Sequence, residues 1–207
     1  MNTNTTSILV PDTIGSAFEG GFYGGKIRIG LAICAIVWAP KAEGEIKGKW
    51  LDSYTDVPGA MSCFDSVANT RAMAEAGSPI AKAALAANIG GHADWCVPAR
   101  DVLEIGYRYL KPATEKNAVY RYGDNPSSIP AGYPYTETSP TQTAAEAFQE
   151  GGAEAFSDEG WYFSSTQYSE YNAWGQYFGD GTQFTYCKTS ERRCRFVRLI
   201  PLNPSFL

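Results

Sequence analysis

The side chains in this 207-residue sequence whose types invite a chemical reading are five cysteines, one histidine, a carboxylate beside that histidine and a run of aromatic residues near the C-terminus. Cys34, Cys63, Cys96, Cys187 and Cys194 include no C-x-x-C pair, and His92 is the only histidine, so a tetrahedral zinc site lacks its usual ligand spacing. The odd cysteine count goes with an N-terminus in which Met1 leads into a polar run over residues 2–7, with no cationic segment and no apolar h-region. Together these predict mostly free thiols in a protein made in a reducing cytoplasm without a signal peptide. Asp94 has the chemistry of a metal ligand or a catalytic acid. Its expected role is structural, accepting backbone N–H bonds at a turn or pairing with an arginine such as Arg100 or Arg195. His92, after Gly90 and Gly91, is expected in a loop. No catalytic residue, metal or cofactor is assigned.

Residues 159–200 read EGWYFSSTQYSEYNAWGQYFGDGTQFTYCKTSERRCRFVRLI. A buried strand would be aliphatic, and a solvated loop would lack the rings. Tyr and Trp offer large, stiff contact area with a polar tip, which is what binding surfaces use most. The stretch therefore reads as short strands presenting a recognition face. Nucleic acid is not the expected partner, because the net charge is −5 and non-specific binding needs a positive field. At strand spacing Arg193 and Arg195 share one face while Arg192 and Arg198 share the other, which divides the only basic cluster. The apolar run over residues 27–39 is too short to span a membrane and is β-branched, so it reads as a buried strand.

The elements that must position these residues follow from local signals. A hydrophobic content of 44% suffices for a core. Residues 1 to about 25, with Gly20, Gly21, Gly24 and Gly25 around Phe22 and Tyr23, read as a flexible lead and a turn or docking segment. Residues 26–39 read as a strand, or a hairpin broken at Gly30. Residues 69–87 repeat small apolar side chains at helical spacing and are interrupted at Gly77-Ser78-Pro79, predicting two helices with Ser78 capping the second. Pro98 suits the first position of a further helix, with Asp101 and Glu104 in its N-terminal turns and Pro112 ending it. Residues 120–142 form a long Pro-rich loop, a length that is often functional. Residues 144–156 read as a short helix. Strands are expected over 161–166, 173–178, 184–188 and 195–200, with a hairpin turn at Gly179-Asp180-Gly181.

Several of these residues form an ordered pattern. Asp94-Trp95-x-x-Pro98 before an acidic, Leu-bearing helix is followed by Gly160-Trp161-Tyr162-x-Ser164-Ser165-Thr166, Ala173-Trp174, Phe178-x-Asp180-Gly181, Lys188 and Arg193-x-Arg195-x-Val197-Arg198. Over residues 90–201 the chain resembles the DUF1566 family. The resemblance implies an α+β, C-type-lectin-like fold, with helices packed on a twisted, mainly antiparallel sheet. It implies a relation to formylglycine-generating enzymes and to proteins varied by diversity-generating retroelements. Residues 35–45 are similar to the opening of phage-encoded members. The implied domain occupies residues 51–207, and residues 1–50 combine an attachment segment with the first strands.

What the resemblance implies about function is a phage virion protein of the tail fibre or tail tip. It would adhere to a bacterial surface receptor (a pilus, a polysaccharide or an outer-membrane protein) without catalysis. Its further partners would be other tail proteins and further copies of itself, a trimer being one form, with no nucleic acid and no membrane insertion. Trp161 and Trp174 lie in the motif and are expected in the core. Tyr168, Ser169, Glu170, Tyr171 and Asn172, between the motif blocks, are expected to contact the receptor, with Gln176, Tyr177, Gln183 and Tyr186 completing the face. A structural baseplate or fibre-cap protein is the alternative. Formylglycine-generating-like oxidase chemistry would need Cys187 and Cys194, with six residues between them, to meet across a hairpin as a disulfide or as buried thiols, and a low thiolate pKa at Cys194. The Glu-Pro-Asn, Gln-Pro-Asp and Trp-Asn-Asp triplets of calcium-dependent lectins are absent, so no calcium requirement is expected.

Overall fold

The apolar run over residues 27–39 is not a single strand: it holds the end of one hairpin arm, the turn and the whole of the second arm. Strand β1 (Ala17–Phe18) pairs with β2 (Gly21–Ile29), which turns at Gly30 (φ 57°) into β3 (Ala32–Trp38). A computed structural model describes residues 8–120 and 122–202, so the polar run over residues 2–7 lies outside the described residues. Gly20 (φ 83°) lies in the turn from β1 to β2, whereas Gly21, Gly24 and Gly25 belong to β2, whose register slips between Tyr23 and Lys26. Their smallness is needed by Trp38, which is fully buried. A Cβ on Gly24 would lie 2.3 Å from the Trp38 ring, and one on Gly106 would lie 2.5 Å from it.

Next come a short helix α1 (Lys41–Gly44) and strand β4 (Glu45–Lys49). The Ala-rich segment forms α2 (Ser66–Glu75) and α3 (Pro79–Ala86), separated at Gly77 (φ 101°). Ser78 Oγ caps α3 by accepting from the Ala81 N–H at 3.3 Å, and Asp65 caps α2 by accepting from the Ala68 N–H at 2.9 Å. Helix α4 (Arg100–Leu110) starts two residues after Pro98, not at it. The Pro98 carbonyl is committed to the Ser165 N–H at 2.8 Å. The first N–H groups of the helix are met from outside: Ala99 by Ser66 Oγ, Arg100 by Thr166 Oγ1 and Asp101 by the Cys63 carbonyl. The short helix expected over residues 144–156 reduces to a 3₁₀ turn at Glu146–Phe148. Beyond it the backbone turns at Gly151 (φ 79°), and the Glu150 N–H bonds to the Pro112 carbonyl.

The remaining strands are β5 (Ser128–Ile129), β6 (Trp161–Gln167), β7 (Asn172–Tyr177), β8 (Gln183–Cys187), β9 (Glu191–Arg195) and β10 (Val197–Pro201). One sheet has the order β1-β2-β3-β10, with β5 also on β2; the other has the order β4-β9-β6-β7-β8. All pairs are antiparallel except β6 with β9. The architecture is α+β, two mainly antiparallel sheets with few helices. Among the described residues, no helix is long and apolar enough to cross a membrane.

The single strand expected over residues 195–200 is two strands in different sheets. The chain changes sheet at Phe196, whose N–H bonds to the Gly44 carbonyl and whose carbonyl accepts from the Ala39 N–H at 3.0 Å. Beside the crossing, the Arg195 guanidinium is wholly buried against the rings of Phe148 and Phe156. It donates to the Ala39 carbonyl at 2.8 Å, to the Glu154 carbonyl at 2.6 Å and to the Glu154 carboxylate. Glu154 also accepts from the Lys41 N–H at 2.7 Å. Removing one partner of a buried pair strands the other charge, at a cost of about 3–5 kcal/mol. Glu154→Ala should therefore lower the urea midpoint of unfolding by that equivalent, and Glu154→Gln should lie between it and the wild type.

Candidate functional site

The β7–β8 hairpin closes as its turn residues dictate. The Gly181 N–H bonds to the Tyr177 carbonyl at 3.0 Å, Gly181 has φ 82°, and the Asp180 carboxylate accepts from the Thr182 N–H at 2.9 Å. Strand β8 is the outer strand of its sheet, and its residues on both faces are half-buried or exposed. Directly paired residues share a face. Trp174 pairs with Thr185 and Gln176 with Gln183, while Trp161 pairs with Tyr177, Ala173 with Tyr186 and Gly175 with Phe184.

On the Trp174 face lies an aromatic groove of about 530 Å³. The Tyr168 ring meets Trp174 edge-on at 5.3 Å, and the Arg100 guanidinium lies over Trp174 at 5.4 Å. Arg100 also pairs with Asp101 at 3.2 Å. Tyr120, Tyr122 and Asp124 from the long loop line the groove, and Phe184 sits at the hairpin edge. Tyr120, Tyr168 and Phe184 are 69%, 55% and 58% exposed, which is unusual for side chains of this size so close together.

The long loop is held by two buried asparagines. Asn125 donates to the Asp101 carbonyl at 2.9 Å and to the Glu104 carboxylate at 2.6 Å. Asn117 accepts from the Tyr107 hydroxyl at 2.6 Å and from Lys111 at 2.9 Å, and it donates to the Thr136 and Pro140 carbonyls at 2.9 Å. Burial raises the carboxyl pKa of both Asp101 and Glu104, with Ser127 and Arg100 opposing the shift at Asp101 and chiefly Arg108 opposing it at Glu104.

The nine residues expected to form one face are divided by the structure. Tyr168 and Gln183 line the groove. Tyr177 and Tyr186 lie on the opposite face, in a stripe with Trp161 (5.4 and 4.8 Å between rings) that Phe184 and Arg192 extend. Tyr171 packs on Tyr54 at 5.5 Å. Ser169 accepts from the Tyr171 and Asn172 N–H groups, the Asn172 carbonyl accepts from the Tyr168 and Ser169 N–H groups, and Glu170 is exposed. Gln176 is buried, donating to the Gly181 carbonyl at 2.7 Å and accepting from Gln183 at 2.9 Å, so it braces the turn from inside. Trp161 and Trp174, expected in the core, are only half-buried: Trp161 is the first residue of β6 and joins the stripe with Tyr177 and Tyr186, and Trp174 faces the groove. Arg100, Tyr120, Tyr122, Asp124 and Phe184 were not anticipated. The length of the loop marked its neighbourhood, and strand alternation puts Phe184 on the same face as the half-buried Tyr186.

Asp94 pairs with an arginine, but with Arg198 (2.5 and 3.1 Å) rather than Arg100 or Arg195, because the Cys96–Val197 bridge brings β10 alongside. His92 lies in a tight turn, exchanging backbone bonds with Ile89. Cys187 and Cys194 do not meet: their strands β8 and β9 are separated by β6 and β7, and all five cysteines are free. Burial raises the Cys194 thiol pKa, contrary to a low thiolate value; Arg193 and Arg195 are engaged by Glu45 and Glu154. Lys188 is buried over the Trp50 ring at 4.5 Å and donates to the Thr55 carbonyl at 2.7 Å and to Gln167.

Two measurements check this arrangement. Iodoacetamide should modify Cys187 in the folded protein, while Cys96 and Cys194 react only after denaturation. Burial pushes the Lys188 pKa down to about 8 from 10.5. The unfolded chain then binds more protons between those values, so this group's contribution to stability rises as pH rises from about 8 toward 10.5. A ¹³Cε NMR titration should show Lys188 deprotonating near the lower value.

No protein-family model matches the chain, and no curated protein matches it in sequence. The groove offers aromatic surface, one cation and one carboxylate around a shallow concavity.

Proposed function

We propose that the protein is a phage tail-fibre or tail-tip adhesin that holds a bacterial surface receptor in the Trp174 groove, without catalysis. The observation that carries this reading is the aromatic pair of Tyr168 and Trp174, with Arg100 over the Trp174 ring, opposite a loop pinned by buried asparagines. Such rings supply most of the binding energy at recognition surfaces, and a pinned loop loses little entropy on binding. The resemblance to the DUF1566 family, and through it a C-type-lectin-like fold, supports the same reading. Its motif residues Asp94, Trp95, Asp180 and Lys188 serve here in ion pairing, packing and turn formation, while Tyr168 and Gln183, which lie between motif blocks, line the groove. Several copies on one virion, in a trimer for example, would multiply a weak single-site affinity.

The stripe of Trp161, Tyr177 and Tyr186 favours a second reading, in which this end of the sheet packs against other virion proteins as a baseplate or fibre cap. Adsorption separates the two. Purified protein added to host cells before infection should block phage adsorption, and Trp174→Ala or Tyr168→Ala should weaken the block about tenfold or more. Failure of the wild-type protein to block, with retained binding to virions, would favour the structural role.

A further inference from the structure

Among the described strands, the edges other than β8 are closed to further pairing. β4, at one end of its sheet, carries Glu45, Lys47 and Lys49, and β10, at one end of the other, carries Arg198 and Pro201. β1 and β5 are two residues long. Charge, proline and shortness are the devices by which edge strands avoid joining other chains. Strand β8 has none of them. Gln183–Cys187 contains no charged residue and no proline, its register with β7 is unbroken, and Phe184 and Cys187 are exposed.

The bonds at the two ends of the hairpin show which backbone groups of β8 point outward. The Tyr177 N–H bonds to the Thr182 carbonyl at 2.9 Å, and the Lys188 N–H bonds to the Tyr171 carbonyl at 2.9 Å. Opposed residues in an antiparallel pair alternate between bonded and non-bonded. Counting from either end gives the same result. Phe184 and Tyr186 bond to β7, whereas Gln183, Thr185 and Cys187 turn their N–H and carbonyl groups away from it. Of these, only the Cys187 carbonyl has a backbone partner among the described residues, the Ser190 N–H at 3.0 Å.

A further strand completes such an edge, and the chemistry of β8 selects which. Strand β4 or β10 of a second copy would bring lysine, arginine or proline into the ladder. Strand β8 of a second copy brings no charge and loses no donor. We infer that two copies of this chain associate through their β8 edges about a two-fold axis, joining two five-stranded sheets into one. Full overlap of the two strands sets Thr185 opposite its own copy, Gln183 opposite the second copy's Cys187 and Phe184 opposite the second copy's Tyr186. Symmetry then gives each outward N–H an outward carbonyl, and the Cys187 carbonyl has a second lone pair to offer. Thr–Thr and aromatic pairs directly across a ladder are stabilising, and no charge meets a like charge. Paired residues share a face, so Thr185 of the second copy lies beside the Thr185 that lines the Trp174 groove, and the two grooves adjoin across the axis. The contact is independent of what the groove holds.

Sedimentation equilibrium on the whole chain, from micromolar to millimolar concentration, tests the association. The wild type should pass from monomer to dimer. Residue 185 meets its own copy, so a charge placed there repels itself. Thr185→Lys and Thr185→Glu should each weaken the dimer about tenfold or more, and an equimolar mixture of the two should restore it. Amide hydrogen exchange on the wild type gives a second reading that needs no variant. Raising the concentration should slow exchange at Gln183, Thr185 and Cys187, while Phe184 and Tyr186, already bonded to β7, exchange slowly throughout. The inference is overturned if the wild type stays monomeric, if either variant dimerises as the wild type does, if the mixture of folded variants stays monomeric, or if the three outward amides exchange at the same rate at every concentration.

Discussion

The crossing of the chain at Phe196 depends on a single buried cation. Arg195 ends β9 in one sheet, and Val197 begins β10 in the other. The guanidinium between them holds the Ala39 carbonyl at the end of β3 and both the carbonyl and the carboxylate of Glu154. A charge removed from water is tolerated only when its donors are met, and here the partners come from Ala39 in the N-terminal third of the chain and from Glu154 ahead of β6. Three segments distant in sequence are therefore fixed together at one point. The sheet that carries the hairpin and the sheet that carries Trp38 are tied there.

Helix α4 then passes this order on to the site. Its Gly106 lies against Trp38, while Asp101, Glu104 and Arg108 reach the long loop. A helix whose polar residues are buried is usually a helix with something laid over it, and the loop is that cover. The Tyr135 hydroxyl donates to Glu104 at 2.7 Å, and Ser127 donates to Asp101 at 2.8 Å. These bonds do for the loop what a ladder does for a strand. They satisfy polar groups that burial would otherwise leave costly, and they hold an irregular backbone in one conformation.

Local chemistry made the local elements legible. Pro79 and Ser78 marked the start of α3, Gly30 the hairpin between β2 and β3, and Asp180-Gly181 the β7–β8 turn, because each acts through its own backbone or its immediate neighbours. What was hidden depended on partners far away. The glycines of β2 looked like loop residues because their role is to admit Trp38, which no local pattern reveals. Residues 195–200 read as one strand, and only pairing with β4 and β3 shows that Arg195 ends one strand and Val197 begins another. In the site, alternation correctly placed Tyr177 on the face opposite Trp174. Which face is covered depends on β8 being outermost, and strand order is not written in periodicity. Gln176 reads as a surface amide, yet it is buried because Gly181 turns its carbonyl toward it.

The anchoring of the long loop through Asn117 and Asn125 has a consequence for how this protein can change. The residues that hold the loop bond inward to α4 and to the loop's own carbonyls, and the side chains that line the groove, Tyr120 and Asp124 among them, lie between or beside those anchors. Foldability and specificity are thus assigned to different positions of one segment. A lineage can exchange the outward side chains through many substitutions while each intermediate remains folded. The same separation makes the loop a natural place to transplant a new recognition sequence onto an unchanged scaffold.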